Sequence, residues 1–115
     1  DEIDHGWASC PITQNAVLRI LSQPAYPNAQ PVPQVAARLQ EACADPSHAF
    51  WPADFSLLGD GVIHWRRVLG HRQITDAFLL ALAVARGGRF VSFDQRIRTE
   101  LVRGAGPEHL CVIDR

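Results

Sequence analysis

The stretch from Gln73 to Asp94, QITDAFLLALAVARGGRFVSFD, leaves little choice of local structure. Thr75 is a natural helix N-cap, and Asp76 follows in the first turn, where the helix dipole favours an acid. Ala77–Ala85 is apolar on every side, so the spacing predicts a helix buried on most of its circumference rather than an amphipathic surface helix. Gly87 is the expected stop, because glycine adopts the left-handed conformation that closes a helix. Phe90–Phe93 then reads as a short buried strand that delivers Asp94 at its end. One carboxylate opens the helix and another finishes the strand.

The flanking sequence repeats the theme. Gly6–Cys10 is a short strand candidate, and Pro11 with Thr13 as N-cap punctuates a helix start. Ile12, Ala16, Val17, Ile20 and Leu21 recur at helical spacing until Pro24 ends the run. A proline-rich loop leads to Pro33, which suits the first turn of a second helix with Val35, Leu39, Ala42 and Cys43 on its buried face. Ala49–Trp51 is a brief strand candidate, and Val62–Gly70 fits no element clearly. Beyond Asp94, Arg96–Val102 reads as a short helix and Leu110–Ile113 as a last strand. Helices alternating with short apolar strands predict an α/β fold, with a parallel sheet and helices on both faces. At 115 residues, with no repeat or linker, one domain spanning 1–115 is expected.

Composition narrows the partners. Twelve acids against eleven bases exclude a generally basic nucleic-acid binder, so any such contact must be local. Every base is arginine, whose planar fork suits phosphate. No apolar run reaches the roughly 18 residues that a membrane span needs. Cys10, Cys43 and Cys111 have neither disulfide nor zinc spacing, so buried free thiols in a reducing, cytoplasmic compartment are expected.

Topology can bring the acids together. A helix in a βαβ unit begins beyond the carboxyl end of the preceding strand, so Asp76, Asp94 and the helix start at Thr13 and Gln14 should share one sheet edge, where open α/β sheets bind ligands. Two neighbouring carboxylates repel, and Mg²⁺, or Mn²⁺ with the same oxygen ligands, would relieve that repulsion. The plain alternative stays open: an Asp at a helix start answers the dipole, and an Asp after a strand is ordinary turn chemistry. His71 and Arg72, just ahead of Asp76, are either phosphate contacts or an exposed loop pair. Arg66–Arg67 and Arg96 with Arg98 read as solvated surface before phosphate-contact patches, and Trp7, Trp51 and Trp65 as core before base-stacking platforms.

The segment GHRQITDAFLLALAVARGGRFVSFD, ending at Asp94, resembles the carboxyl-terminal motif of PIN-domain ribonucleases, in particular the VapC-type toxins of bacterial toxin–antitoxin pairs. CPITQNAVLRILSQPAYP and FWPADFSLL, upstream, are similar to the same branch, so the resemblance runs from about Gly6 to the end. It implies a three-layer α/β/α PIN-like fold with a short parallel sheet, and Mg²⁺-dependent endoribonuclease activity on RNA. It also implies a VapB-type antitoxin partner and a homodimer. By the same resemblance, Asp76 binds the metal directly, Asp94 binds the metal or orients water, and Thr75 caps the helix and positions Asp76.

Two departures from the family pattern matter. PIN-domain chains open with a strand carrying an essential Asp and then a helix, and neither is visible around Asp1, Glu2 and Asp4. The expectation is a longer natural protein whose first catalytic Asp precedes Asp1, an expectation with which the absence of Met agrees. The family's second acid often falls where Gln14 stands, leaving Gln14 as a weak outer ligand, an RNA contact or simply a helix residue. A catalytically degenerate PIN domain that binds RNA or a protein is therefore the alternative function, and a metal-dependent phosphatase or DNA nuclease a third.

Overall fold

The computed structural model describes residues 6–25, 27–92 and 94–113. Backbone contacts group into two compact units, one ending at Asp54 and one beginning at Phe55. The expected helix–strand alternation is present, as mixed α/β structure with short parallel strand pairs.

In the first unit, strand β1 (Trp7–Ser9) runs directly into helix α1 (Pro11–Leu21). Helix α2 (Val32–Cys43) and strand β2 (His48–Phe50) follow, and β2 pairs parallel to β1 with Ala8 opposite Ala49. The Trp51 N–H extends the ladder to the Ser9 carbonyl at 2.8 Å. Helix α1 starts earlier than Thr13: Cys10 is its N-cap and Pro11 its first residue. Proline has no N–H to satisfy and its φ is already helical, so it belongs at that position. Thr13 instead reaches back, its hydroxyl accepting from the Cys10 N–H at 2.9 Å. On α2 the buried residue is Val35, whereas Leu39 and Cys43 are half-buried and Ala42 is exposed.

The second unit is built on helix α3 (Ile74–Arg86). Ala77, Phe78, Leu80, Ala81, Leu82 and Ala83 are all buried, as an all-round apolar helix requires. Ala77, Leu80 and Ala81 share one cluster with Ile63, Leu101 and Val102, and Leu80 is fully enclosed at 0% exposure. Phe78 stacks on Phe55 with ring centroids 5.1 Å apart, adding about 0.5–1.5 kcal/mol beyond the area buried. Gly87, at φ 66°, ends the helix in the left-handed region. Its N–H and that of Gly88 donate to the Val84 and Ala83 carbonyls at 3.2 and 2.8 Å, satisfying two groups the last turn leaves open.

The chain then returns as strand β3 (Phe90–Ser92), parallel to strand β4 (Leu110–Val112) with Val91 opposite Cys111. Strand β3 is less buried than its composition suggests, with Val91 40% exposed. The sheet is narrow there: among the described residues β3 has one neighbouring strand. The Arg96–Val102 helix is absent; a 3₁₀ turn at Thr99–Leu101 takes its place, buries Leu101 and bridges Ile63 to Val102. Trp65 is 44% exposed and so is not core. Among the described residues no helix is long and apolar enough to cross a membrane. All three cysteines are free, but only Cys10 is buried as expected; Cys43 and Cys111 are half-buried.

Candidate metal centre

Helix α3 and strand β3 explain how two acids 18 positions apart in sequence meet. From Asp76 to Arg86 the helix advances about 15 Å. Strand β3 (Phe90–Ser92) then brings the chain back toward Asp94, by about 3.3 Å per residue. The glycine turn at Gly87–Gly88 folds one length against the other, and α3 contacts β3 directly. The start of the helix and the end of the strand therefore lie at the same end of the second unit. A strand running straight into α3 plays no part: among the described residues, two 3₁₀ turns at Trp65–Arg67 and His71–Gln73 lead into it.

The pairing is visible in the charges. Asp76 holds its proton above the ordinary carboxylate range, chiefly because partial burial penalises its charge and next because Asp94 repels it; Arg96 acts in the opposite direction. Asp94 titrates below the ordinary range, because the Arg96 side chain and backbone N–H both donate to its carboxylate. The Arg96 N–H and Nε–H reach Asp94 Oδ1 at 2.9 and 3.0 Å, and Nη2 reaches Oδ2 at 3.3 Å. Ser92 supports the bend from behind, its Oγ accepting from the Asp94 N–H at 3.1 Å.

The neighbours divide clearly. Thr75 is the second residue of α3, exposed and inside the helix; the N-cap position falls to Gln73, because the 3₁₀ turn before it already points the chain into the helix. Gln73 also fixes the entry, accepting from the Leu69 N–H through Oε1 at 2.6 Å. His71 and Arg72 are exposed in the turn that precedes the helix start. Arg96, read from sequence as solvated surface, proves to be the direct partner of Asp94. The signal was an Asp and an Arg two residues apart, the spacing of a turn in which a carboxylate accepts from the backbone two positions on.

Gln14 lies in the first unit, at the carboxyl end of β1. Its Nε2 donates to Ser9 Oγ at 2.9 Å, and Ser9 Oγ lies 2.7 Å from His48 Nε2. One hydroxyl serves both partners if it accepts from the amide and donates to the ring. Trp7 packs on the His48 ring with centroids 4.4 Å apart. The amide nitrogen of Gln14 is thus occupied. Ser9 and His48 escaped sequence reasoning because they stand 39 positions apart and carry no motif.

The donor set suits a hard divalent cation. Two carboxylates supply oxygen ligands, and their mutual repulsion is what such an ion relieves. Among the described residues no three His, Cys, Asp or Glu side chains gather, so the two carboxylates would be the protein's acidic donors to such an ion.

Similar proteins include ribonucleases of Mycobacterium tuberculosis. Ribonuclease VapC44 is 46% identical over 112 residues, spanning 97% of this chain and 79% of the relative. Ribonuclease VapC39 is 37% identical over 91 residues, 78% of this chain and 66% of the relative. Ribonuclease VapC38 is 38% identical over 95 residues, 82% of this chain and 65% of the relative. No family model matches the chain, and no solved structure does.

Proposed function

Since this chain belongs to the VapC-type ribonucleases, we propose that it is the ribonuclease toxin of a toxin–antitoxin pair and hydrolyses RNA phosphodiester bonds with Mg²⁺, or Mn²⁺, held by Asp76 and Asp94. The observation that carries the reading is the pairing of these two acids: Asp76 feels the charge of Asp94 although 18 positions separate them. When bound there, the cation supplies positive charge to the phosphate and leaving oxygen and makes a bound water more acidic.

The protein's own groups do the rest. Asp76 is a direct ligand, positioned by the first turn of α3. Asp94 is a ligand or orients the attacking water, since its carboxylate is ionised at any neutral pH. His71 and Arg72 sit before the positive end of α3 and contact substrate phosphate, a placement supported by their exposure and by the helix dipole. Gln14 contributes no charge and offers RNA a polar contact from the first unit. From Phe55 onward nine arginines face six acids, against two and six before it, so the second unit has the charge balance that an anionic substrate needs.

The proposal extends to architecture and partners. It takes the two units as one PIN-like domain of three α/β/α layers, acting in the cytoplasm as a homodimer restrained by a VapB-type antitoxin. Exposed apolar side chains such as Ile12, Ile20 and Val32 supply surface for such contacts.

The test is a side-by-side assay of single-stranded RNA, DNA and a phosphomonoester with Mg²⁺, Mn²⁺ or EDTA. RNA cleavage that needs the metal and is lost in Asp76→Asn and Asp94→Asn is expected. Cleavage unaffected by Asp76→Asn, or hydrolysis confined to the phosphomonoester, overturns the assignment.

A further inference from the structure

Arg96 stands in an unusual relation to the acid pair. It donates three hydrogen bonds to the Asp94 carboxylate, two from its side chain and one from its backbone. An ionised carboxylate offers about four lone-pair positions, so little more than one of them, on Oδ2, stays open. Arg96 also interacts electrostatically with Asp76. A cation drawn to both carboxylates is therefore already supplied by the chain. The guanidinium is not packed in place: the Arg96 side chain is 82% exposed and the Asp94 side chain 32%. Its neighbours are differently engaged, Arg98 pairing with Glu100 and Arg67 donating to the Glu100 carbonyl at 2.9 Å.

We propose that the Arg96 guanidinium, laid along the Asp94 carboxylate, is a resident competitor for the divalent cation, which binds both acids more tightly once the guanidinium turns away. The inference rests on the reading of Asp76 and Asp94 as the metal ligands. The turn itself does not need the guanidinium. The Arg96 N–H to Asp94 Oδ1 bond and the Ser92 hydroxyl bond to the Asp94 N–H hold the carboxylate whatever side chain follows. Displacement thus requires only side-chain rotation at an exposed position, and leaves Asp94 where it was. Arg96 in this role is a positioning residue that sets how tightly metal is held, and it acts without touching the reacting atoms.

The experiment is Mn²⁺ titration of the full chain, reading free Mn²⁺ by electron paramagnetic resonance, for wild type, Arg96→Ala, Arg96→Lys and Asp76→Asn. An exposed ion pair is typically worth enough that its removal should tighten Mn²⁺ binding by about two- to five-fold in Arg96→Ala. Arg96→Lys, which keeps the charge but loses the fork, should fall between the two. An Arg96→Ala affinity equal to wild type, or weaker, overturns the proposal and makes Arg96 a turn residue. Asp76→Asn separates the two levels of the argument. If it abolishes Mn²⁺ binding while Arg96→Ala changes nothing, only the competitor role fails. If it leaves Mn²⁺ binding intact, or wild type binds none, the metal site fails and the competitor role with it.

Discussion

Replacing Asp76 by Asn should uncouple the protein's thermal stability from divalent metal. Without metal the change is small. The pKa of Asp76 is raised in the folded chain, so between the unfolded and folded values the folded form holds the extra proton and stability falls as pH rises through that window. At neutral pH the ionised carboxylate is thus a mild burden, which Asn relieves. Its location in the first turn of α3 opposes this, being worth about 0.3–1 kcal/mol. Because the group is only half-buried and the burial and dipole effects oppose each other, they leave a net change below about 1 kcal/mol. With metal the outcome differs. Mn²⁺ at a hundred times its dissociation constant stabilises wild type by about 2.7 kcal/mol, or about 10 °C in melting temperature. A divalent ion and a carboxylate 4 Å apart attract by about 2 kcal/mol even at the dielectric constant of water. Removing one carboxylate therefore weakens binding about thirty-fold or more, and the same Mn²⁺ concentration then stabilises the variant by under about 1 kcal/mol. Melting curves followed by circular dichroism, with Mn²⁺ and with EDTA, measure both numbers. An equal Mn²⁺-induced shift in wild type and Asp76→Asn would refute the reasoning.

Other consequences follow from the same structure. Mn²⁺ affinity should decline on acidification from a pH above the ordinary carboxylate range, with Asp76 responsible, because Asp94 remains ionised to lower pH; calorimetric titration across pH should find this acid limb missing in Asp76→Asn. Leu80→Ala, which empties a fully enclosed position, should cost about 3–5 kcal/mol in urea unfolding. Gly87→Ala should cost about 1 kcal/mol by the same assay, purely from the left-handed backbone, since no heavy atom stands within 4 Å of the added methyl group. Ser9→Ala strips the Gln14 amide and the His48 ring of their shared partner and should destabilise the first unit by about 1–3 kcal/mol.

How far the sequence could be read depends on what decided each element. Helix α3 and its glycine stop were legible because an apolar run of that length and a glycine able to take positive φ admit few alternatives. The strands at Trp7–Ser9, His48–Phe50 and Leu110–Val112 were legible to within a residue or so. Helix starts were not, since Thr13 and Thr75 both looked like N-caps. A proline at the first position decided one start, and a 3₁₀ turn running into the helix decided the other. The missing helix after Arg96 is a matter of tertiary context. A helix of so few residues is unstable alone, and the demand to bury Leu101 and bridge Val102 to Ile63 wins over local propensity. For the candidate site, topology foresaw Asp76 and Asp94 within electrostatic reach of each other, although the route ran through the α3–β3 return rather than through a strand before α3. Arg96 was missed because exposed arginines are so often only solvated, and its role depends on a turn geometry that charge counts do not reveal.

The claim at the centre is that Asp76 and Asp94 jointly hold a divalent cation. Crystals of the protein soaked in Mn²⁺ and measured at the manganese absorption edge test it without recourse to activity. The account predicts one anomalous peak within ligand distance of carboxylate oxygens of both residues, with the Arg96 guanidinium turned away from Asp94. Manganese bound elsewhere, or an Asp94 still clasped by Arg96 with no metal beside Asp76, would contradict it.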